Sequence, residues 1–307
     1  MAKHAVEWTL LCTYELKPNS LNGNYRILSL PNIQISYSHF YGSLMHDYIV
    51  PADTINFTVI PLISDKACIN EMKLKTDMIA INDDKKPYTL MFNDEVKFLD
   101  VSLKKSAYAS LYERLAPAVD TYFIDTDKKM ASLLMHILDT YSEGEAALTL
   151  QTSMKIEAQI VDTMMHILDA QEANVPRFTK SEKTALAIRQ QFFDHMDAPV
   201  NIASLSVKHQ ISEKSLQNAF KSLFGFTPKL FFRLTKLNMV HHELIQSNVK
   251  EVSVMRVAQK WGFRHMGKFS KYYTELFGEN PSVTLRTVAP MIDGMSEHCV
   301  VRREEIV

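Results

Sequence analysis

The spacing of hydrophobic residues changes partway along this chain of 307 residues. From Asn32 to about Ser102, apolar residues alternate with polar ones in short runs, which is the pattern of β-strands with one buried face. After about Lys104 the apolar residues recur at helical spacing. A run of strands followed by a run of helices predicts an α+β fold with a β-rich domain first.

The predicted strands follow one another as a meander. The first places Ile33, Ile35, Tyr37, His39 and Tyr41 on one face. Further strands are predicted at residues 54–62, 78–81, 88–92 and 97–103. Because they share a face with isoleucines, His39 and Tyr41 are weak candidates for the polar groups of an effector pocket. The simpler interpretation is that both are ordinary residues in the core or at its edge.

Two helical segments repeat one short sequence. Residues 135–139 and 165–169 both read Met-His-Ile-Leu-Asp, and the turn-forming run 142–145 lies between them. The repeat predicts a helical hairpin whose apolar face packs on the β domain, on the same hairpin of a second copy, or on both, so we expect a homodimer. His136 and His166 lack companion ligands in the sequence, and we predict neither a metal site nor a cofactor.

Charge is divided unevenly between the two halves of the chain. Residues 1–176 contain 15 Lys and Arg against 23 Asp and Glu, whereas residues 177–290 contain 17 against 8. An acidic half joined to a basic half indicates that only the second half meets a polyanion. A basic surface without any role in nucleic-acid binding is the alternative on charge alone.

Several classes of protein are disfavoured by what the sequence lacks. No run approaches the roughly 20 apolar residues of a membrane helix and no signal-peptide pattern is present, so we expect a cytoplasmic protein without a membrane partner. The three cysteines are far apart, which disfavours disulfides and zinc. We expect no enzyme, because nucleophile elbow, P-loop and dinucleotide motifs are missing and His39 and His46 lack the companions of an oxygenase metal site.

A domain boundary is predicted at residues 174–177, where Pro176 disfavours helix in the residue before it. Thr179 and Glu182 then fit a capping box that starts a new helix. The predicted domains are a β-rich sensor domain at 1–125, a dimerising helical hairpin at 126–175, an all-helical domain at 176–290 and a tail at 291–307.

The all-helical domain contains two helix-turn-helix patterns. In the first, residues 202–209 form a helix, Gln210-Ile211 makes the turn and Ser212 caps the second helix. The exposed face of that second helix carries Lys214, Ser215, Gln217, Asn218 and Lys221. Such a face suits the major groove of DNA, where Gln and Asn pair with adenine and Lys reaches guanine or phosphate.

The second pattern follows a connecting helix at residues 229–246. Ser253 caps its first helix and Gly262 supplies the turn. Its end repeats the end of the first pattern, since Gly278 and Pro281 have the spacing of Gly225 and Pro228. The exposed residues predicted for its second helix are Arg264, His265, Lys268 and Lys271, and those predicted for its core are Phe263, Phe269, Tyr273 and Phe277.

Residues 183–288 resemble the DNA-binding domain of AraC/XylS-type transcription regulators. The matching positions are Lys236-Leu237, Val257-Ala258, Trp261-Gly262-Phe263, Phe269-Ser270, Tyr273, Phe277-Gly278 and Pro281. The resemblance implies a double helix-turn-helix domain whose two recognition helices enter successive major grooves of double-stranded DNA. The base-facing residues that it implies are Lys214, Gln217 and Asn218 in the first helix, and His265, Met266, Lys268 and Lys271 in the second.

Three features depart from that resemblance. Gln210 stands where the first turn often has glycine, Ser206 stands where alanine is usual, and Met266-Gly267 replaces polar residues early in the second recognition helix. The second unit is therefore expected to read phosphate and DNA shape more than base edges.

Together these patterns predict a sequence-specific transcription regulator. Its N-terminal domain is expected to gate DNA binding or transcriptional output through a small effector or through dimerisation, and the resemblance implies RNA polymerase as a further partner. The alternative is an architectural DNA-binding protein with low sequence specificity. The acidic first half argues against that alternative, because it repels DNA.

Overall fold

Two compact units make up the part of the chain that the computed structural model describes, and they separate after Arg177. Residues 12–18 and 43–45 group with the second unit. The described residues are 9–18, 22–70, 72–141, 148–196, 200–247 and 252–286, so the predicted turn at 142–145 and the predicted tail at 291–307 lie outside them.

One sheet of nine strands is formed by the described residues before 125. The strands are β1 (Thr9–Glu15), β2 (Asn22–Ser29), β3 (Ile33–Ile49), β4 (Thr54–Ile63), β5 (Ala67–Ile69), β6 (Met72–Leu74), β7 (Met78–Asp83), β8 (Pro87–Lys104) and β9 (Tyr122–Ile124). The path through the sheet is β1-β3-β8-β4-β7-β9, while β2 pairs with β3 and β5 pairs with β6 and β8. The β-rich first region predicted from the sequence is confirmed.

The strands predicted at 88–92 and 97–103 are a single strand, β8. Asp94 in its middle adopts a left-handed backbone with φ of 68°. The residues before Asp94 pair with β5 and those from Val96 onwards pair with β4, so the strand changes partner at this point without ending. Asn93 and Asp94 resemble a turn in the sequence, so the sequence pattern predicted two strands where the structure has one.

One face of the sheet packs against helices, as the alternation predicts. Ile35, Phe57 and Val101 lie on this face and share a hydrophobic cluster with Leu134 and Ile160 of the helical hairpin. The core of the first unit therefore lies between the sheet and these helices.

The opposite face of the central strands is polar, and it is buried too. Asn56 lies opposite both Asn82 and Ser102 in the register, and all three residues are at most 2% exposed. On the same face the Thr58 hydroxyl donates to Asp100 Oδ1 over 2.6 Å. Alternation alone would leave such residues in solvent, so the sequence pattern does not predict this buried polar layer.

The predicted helical hairpin is present. Its helices are α2 (Lys129–Tyr141) and α3 (Leu150–Ala170), and they follow the short helix α1 (Ala109–Leu115). The repeated Met-His-Ile-Leu-Asp sequence ends in an ion pair in each helix: Asp139 lies 2.8 Å from Arg26 and Asp169 lies 2.8 Å from Arg114. The repeat thus ties each helix of the hairpin to another element of the first unit.

A buried carboxylate on α3 fixes the hairpin further. Glu157 is 3% exposed and accepts hydrogen bonds from the Asn32 backbone N–H over 2.7 Å and from the Tyr108 hydroxyl over 2.6 Å. Because charge-assisted hydrogen bonds are the stronger kind, this residue links α3 to the turn before β3 and to the start of α1.

The second unit contains seven described helices. They are α4 (Lys180–Asp194), α5 (Ile202–Lys208), α6 (Glu213–Phe224), α7 (Pro228–Gln246), α8 (Val254–Lys260), α9 (Met266–Phe277) and α10 (Pro281–Arg286). The capping box of Thr179 and Glu182 is confirmed. Residues near the chain start also belong to this unit, because Asn238 of α7 bonds both the N–H and the C=O of Glu15 over 2.8 Å. None of the described helices has the length and apolar character needed to cross a membrane.

Candidate nucleic-acid interface

The first helix-turn-helix unit consists of α5 and α6. Ser212 caps α6, since its hydroxyl accepts from the Ser215 N–H over 3.1 Å. One side of α6 is anchored in the core by Leu216, Phe220 and Phe224, each at most 1% exposed. Gly225 ends the helix with a left-handed φ of 77°. The predicted cap, core side and glycine stop of this helix are all confirmed.

The other side of α6 is the surface predicted to meet DNA. Lys214, Gln217, Asn218 and Lys221 are exposed and recur at helical spacing, whereas Ser215 is half-buried and its hydroxyl accepts a hydrogen bond from Ser212. We call these four exposed residues the α6 face. It presents the side-chain amides of Gln217 and Asn218 between Lys214 and Lys221, on a helix whose opposite side packs in the core.

The second helix-turn-helix unit consists of α8 and α9. Phe269 and Tyr273 of α9 are buried, as predicted. Phe263 and Phe277 are half-buried and lie at the edge of the predicted core. The Phe263 ring packs on Phe269 with ring centres 5.1 Å apart, and the Phe277 ring lies 4.7 Å from that of Tyr273 and 4.1 Å from that of the half-buried His241. Arg264 and His265 are exposed but precede the first residue of α9, while Lys268 and Lys271 are exposed on the helix and Met266 is half-buried.

The two units are structural repeats of one another. In the first turn the Ile211 N–H donates to the C=O of Ser206, and in the second the Phe263 N–H donates to the C=O of Ala258. The left-handed glycine that ends α6, Gly225, corresponds to Gly278 at the end of α9. The equivalent residues are therefore offset by 52 positions up to the turn and by 53 after it, because the second turn is one residue longer.

This register assigns a counterpart to each residue of the α6 face. In the order Lys214, Gln217, Asn218, Lys221 the counterparts are Gly267, Ser270, Lys271 and Thr274. Sequence reasoning missed Ser270 and Thr274, although the repeated Gly and Pro that end each unit carry the register. The second face thus has shorter side chains than the α6 face, and that it reads phosphate and shape more than base edges stays a prediction.

Positive charge is available on both faces. Among the predicted contact residues, all within the described ranges, only Lys271 has an acidic partner within salt-bridge distance, Glu275 at 3.8 Å. Lys214, Lys221, Arg264 and Lys268 are exposed. These cations can pair with phosphate at little cost, because no ion pair inside the protein has to be broken first.

Comparison with known proteins decides the type of this domain. A family described as a helix-turn-helix domain matches residues 205–287. The chain is 32% identical over 94 residues to the probable thc operon regulatory protein of Rhodococcus erythropolis, covering 31% of this chain and 28% of that protein. It is 30% identical over 122 residues to the XylDLEGF operon transcriptional activator of Pseudomonas putida, covering 39% of this chain and 38% of that protein. The C-terminal region is an AraC/XylS-type helix-turn-helix domain.

Two solved structures are similar over more of the chain, but weakly. The crystal structure of the AraC-like transcriptional activator CuxR matches with 13% identity and a TM-score of 0.39 over 71% of this chain and 78% of that one. ToxT from Vibrio cholerae O395 matches with 10% identity and a TM-score of 0.30 over 92% of this chain and 99% of that one. Both TM-scores are low, and the assignment of the AraC/XylS-type domain rests on the sequence matches. Those matches cover about a third of each relative's length.

The predicted effector residues lie outside the AraC/XylS-type domain, on β3. His39 Nε2 lies 2.8 Å from Glu95 Oε1, and its ring packs 4.6 Å from that of Tyr41, which is 44% exposed. The two residues therefore form a polar cluster at the surface with Glu95, and an effector role for them stays a prediction. Within the described ranges, no group of His, Cys, Asp and Glu is arranged to hold a metal ion.

Gly262 in the turn of the AraC/XylS-type domain gives a stability prediction with an internal control. Its φ is 88°, and a Cβ added there would lie 3.3 Å from Lys236 Nζ, so Gly262→Ala is expected to lower the free energy of unfolding by about 1–2 kcal/mol. Gly267→Ala is the control, because a Cβ at this helical position meets nothing within 4 Å and is expected to stabilise by up to about 1 kcal/mol. Urea unfolding followed by Trp261 fluorescence in a Trp8→Phe background measures both. Equal effects of the two substitutions would contradict the turn geometry.

Proposed function

We propose that this protein is a sequence-specific DNA-binding transcription regulator. The observation that carries the proposal is the α6 face, where Gln217 and Asn218 stand exposed between Lys214 and Lys221 on a helix whose other side is fixed in the core. A rigid helix with exposed amides is suited to the major groove, since each amide can make two hydrogen bonds to adenine. The flanking lysines then reach phosphate and hold the helix in register.

The second recognition helix contributes in a different way under this proposal. Arg264 and His265 lie at the start of α9, and Lys268 and Lys271 follow on its exposed side. Because the face counterparts Gly267, Ser270 and Thr274 are short, cations dominate this surface. It adds affinity through the DNA backbone, whereas the α6 face supplies most of the base discrimination.

Control through the N-terminal unit is part of the proposal. Leu150 and Met154 of α3 are 67% and 60% exposed, which favours the hairpin as the contact of a homodimer. The buried polar sheet face favours a small polar effector, since Asn82 Oδ1 has no hydrogen-bond partner among the described residues.

The proposal also includes domain bounds, location and a further partner. We propose the sensor domain at 1–125, the hairpin at 126–175 and the DNA-binding domain at 176–290, in a cytoplasmic protein. Similarity to an operon transcriptional activator supports RNA polymerase as a partner.

Two alanine substitutions test the division between base reading and phosphate binding. Gln217→Ala is expected to weaken binding to the preferred site by about 1–3 kcal/mol and to relax preference at one base pair. Lys221→Ala is expected to weaken binding to all sequences by a similar factor. It is also expected to reduce the slope of the logarithm of the binding constant against the logarithm of salt concentration by about 1. Fluorescence anisotropy of the full chain, on a duplex selected from a random library and on its single-base variants, measures both.

The architectural alternative makes the opposite prediction. A protein without base readout would show the same loss for Gln217→Ala on every duplex, and its binding would fall steeply with salt. Equal losses of discrimination from Gln217→Ala and Lys221→Ala would contradict the assignment of roles to the α6 face.

A further inference from the structure

Because the two helix-turn-helix units are structural repeats, their stabilities can be compared at equivalent positions. We propose that α5, the first helix of the first unit, opens locally in the free protein far more readily than its counterpart α8, and that DNA binding closes it. The second half of this inference rests on the DNA-binding function proposed above. The first half concerns the protein alone.

Burial gives the first difference between the two helices. The fully buried residue of α5 is Ser206, whereas α8 buries Val257 and Ala258. Leu205, the counterpart of Val257, is half-buried, and the neighbouring Val207 is 80% exposed. Because buried apolar area is the main source of stability, α5 is held to its unit more weakly than α8.

The buried serine adds a second difference. Ser206 is 5% exposed, and its hydroxyl has no hydrogen-bond partner among the described residues. A buried hydroxyl without a partner costs free energy in the closed state, and it regains hydrogen bonds to water when the helix opens. Ala258 at the equivalent position carries no such group, so this penalty falls on α5 alone.

The third difference lies in the anchor that joins each first helix to the helix before it. Glu243 of α7 accepts from Lys260 Nζ over 2.8 Å and from Trp261 Nε1 over 2.7 Å. The counterpart in α4 is Gln191, whose side-chain oxygen lies 3.0 Å from Lys208 Nζ and 3.3 Å from His209 Nε2. A neutral amide at longer distances replaces a carboxylate with short charge-assisted bonds, which weakens the anchor of α5.

The backbone of the first turn and the packing beside α5 also favour opening of this helix. Gln210 in the first turn has a φ of 51°, where a residue with a Cβ is strained, whereas the second turn has Gly262. A cleft of about 330 Å³ lies between α4 and α5, lined by Ile188, Phe192 and Leu205 among others. Side chains that line an open cleft make fewer packing contacts than side chains in a closed core, so the cleft lowers the free energy needed to open α5.

Opening of α5 would affect recognition directly. In helix-turn-helix proteins the first helix crosses the DNA backbone while the second lies in the groove, so DNA contacts both and favours the closed unit. The α6 face is rigid because α6 packs in the core. By contrast, α5, the helix that crosses the DNA backbone, is held weakly to the rest of the unit. The first unit is therefore the part of the domain whose order responds to a bound duplex.

Amide hydrogen exchange of the full chain, resolved by NMR, tests the inference without DNA. The matched amides are those of Leu205 and Val257, and of His209 and Trp261, which make equivalent hydrogen bonds in the two units. After correction for intrinsic rates, Leu205 and His209 are expected to exchange at least about tenfold faster than their counterparts. Similar protection in both units would overturn the inference.

Reciprocal substitutions show whether the serine contributes. Ser206→Ala is expected to slow exchange of Leu205 and His209 by about tenfold and to leave Val257 and Trp261 unchanged. Ala258→Ser places the same hydroxyl in the second unit and is expected to speed Val257 and Trp261 alone. Equal changes in both units, from either substitution, would overturn the local character of the opening.

Addition of a duplex selected from a random library tests the second half. Exchange of Leu205 and His209 is expected to slow more than that of Val257 and Trp261. A bound duplex that protects both units equally would overturn closure by DNA, while fast exchange in α5 would still stand. Failure of the chain to bind any duplex would instead refute the proposed function. The exchange rates measured without DNA would still decide whether α5 opens more readily than α8.

Discussion

Replacing Phe231 with alanine is expected to lower the free energy of unfolding of the second unit by about 3–5 kcal/mol. Phe231 of α7 is fully buried, and its ring centre lies 5.1 Å from that of Phe224 and 5.9 Å from that of Phe220, both on α6. The substitution leaves a cavity where α6 meets the connecting helix. Since this packing fixes the α6 face, specific DNA binding should be lost with it.

Urea unfolding followed by fluorescence measures this effect. The chain has two tryptophans, so a Trp8→Phe background leaves Trp261, which directly follows α8, as the reporter of the second unit. Val207→Ala is the control, because Val207 is 80% exposed and its truncation is expected to change stability by less than about 0.5 kcal/mol. A loss for Phe231→Ala no larger than that of the control would contradict the packing described for α6 and α7.

Replacing Asp100 with asparagine is expected to stabilise the first unit at neutral pH by about 2–3 kcal/mol. Burial raises the pKa of Asp100 to about 6, although hydrogen bonds from Thr58 and Asn56 oppose the rise. The folded state therefore favours the protonated carboxyl, and stability falls as pH rises from about 4 to 6, where the unfolded chain has already lost its proton. Each pKa unit is worth about 1.4 kcal/mol, and asparagine removes the ionisation altogether.

The pH dependence of stability in the parent chain alone does not isolate Asp100, because His46 contributes over the same pH range. Burial lowers the pKa of His46 to about 4, so the stability that the neutral imidazole contributes is lost as pH falls from about 6.5 to 4. The two slopes oppose one another in the same range. The difference between Asp100→Asn and the parent, measured by thermal or urea unfolding at several pH values, isolates Asp100.

A matched variant controls for the loss of one negative charge. Asp162 is exposed on α3 in the same unit, so Asp162→Asn removes a charge without touching the buried layer. The stabilisation from Asp100→Asn should be near zero at pH 4 and reach its full value above pH 6. A gain of the same size at both pH values would show that the ionised carboxylate is not what destabilises the sheet.

Local signals explain why much of the second unit can be predicted from the sequence. The caps at Ser212 and Ser253 and the left-handed glycines at Gly225 and Gly278 each act within one turn of helix, so short windows of sequence contain them. The exposed α6 face follows from the same windows, because helical spacing separates it from Leu216 and Phe220.

Features that depend on distant partners were not predictable in this way. The buried face with Asn56, Asn82 and Ser102 looks solvent-exposed by alternation, since burial on both sides of a sheet depends on what packs against it. β8 looks like two strands because its change of partner at Asp94 is set by β4 and β5. Ser270, by contrast, could have been predicted, because Gly278 and Pro281 repeat Gly225 and Pro228 and therefore carry the register between the two units.

Sequence-specific DNA binding is tested by comparing how the full chain binds a duplex selected from random sequences and a scrambled duplex of the same composition. Fluorescence anisotropy at about 0.05 and 0.2 M salt is sufficient, since backbone contacts weaken steeply over this range. We expect tighter binding to the selected duplex by about a thousandfold or more, with the preference retained at the higher salt. Equal binding to both duplexes, lost at the higher salt, would contradict sequence-specific recognition by this protein.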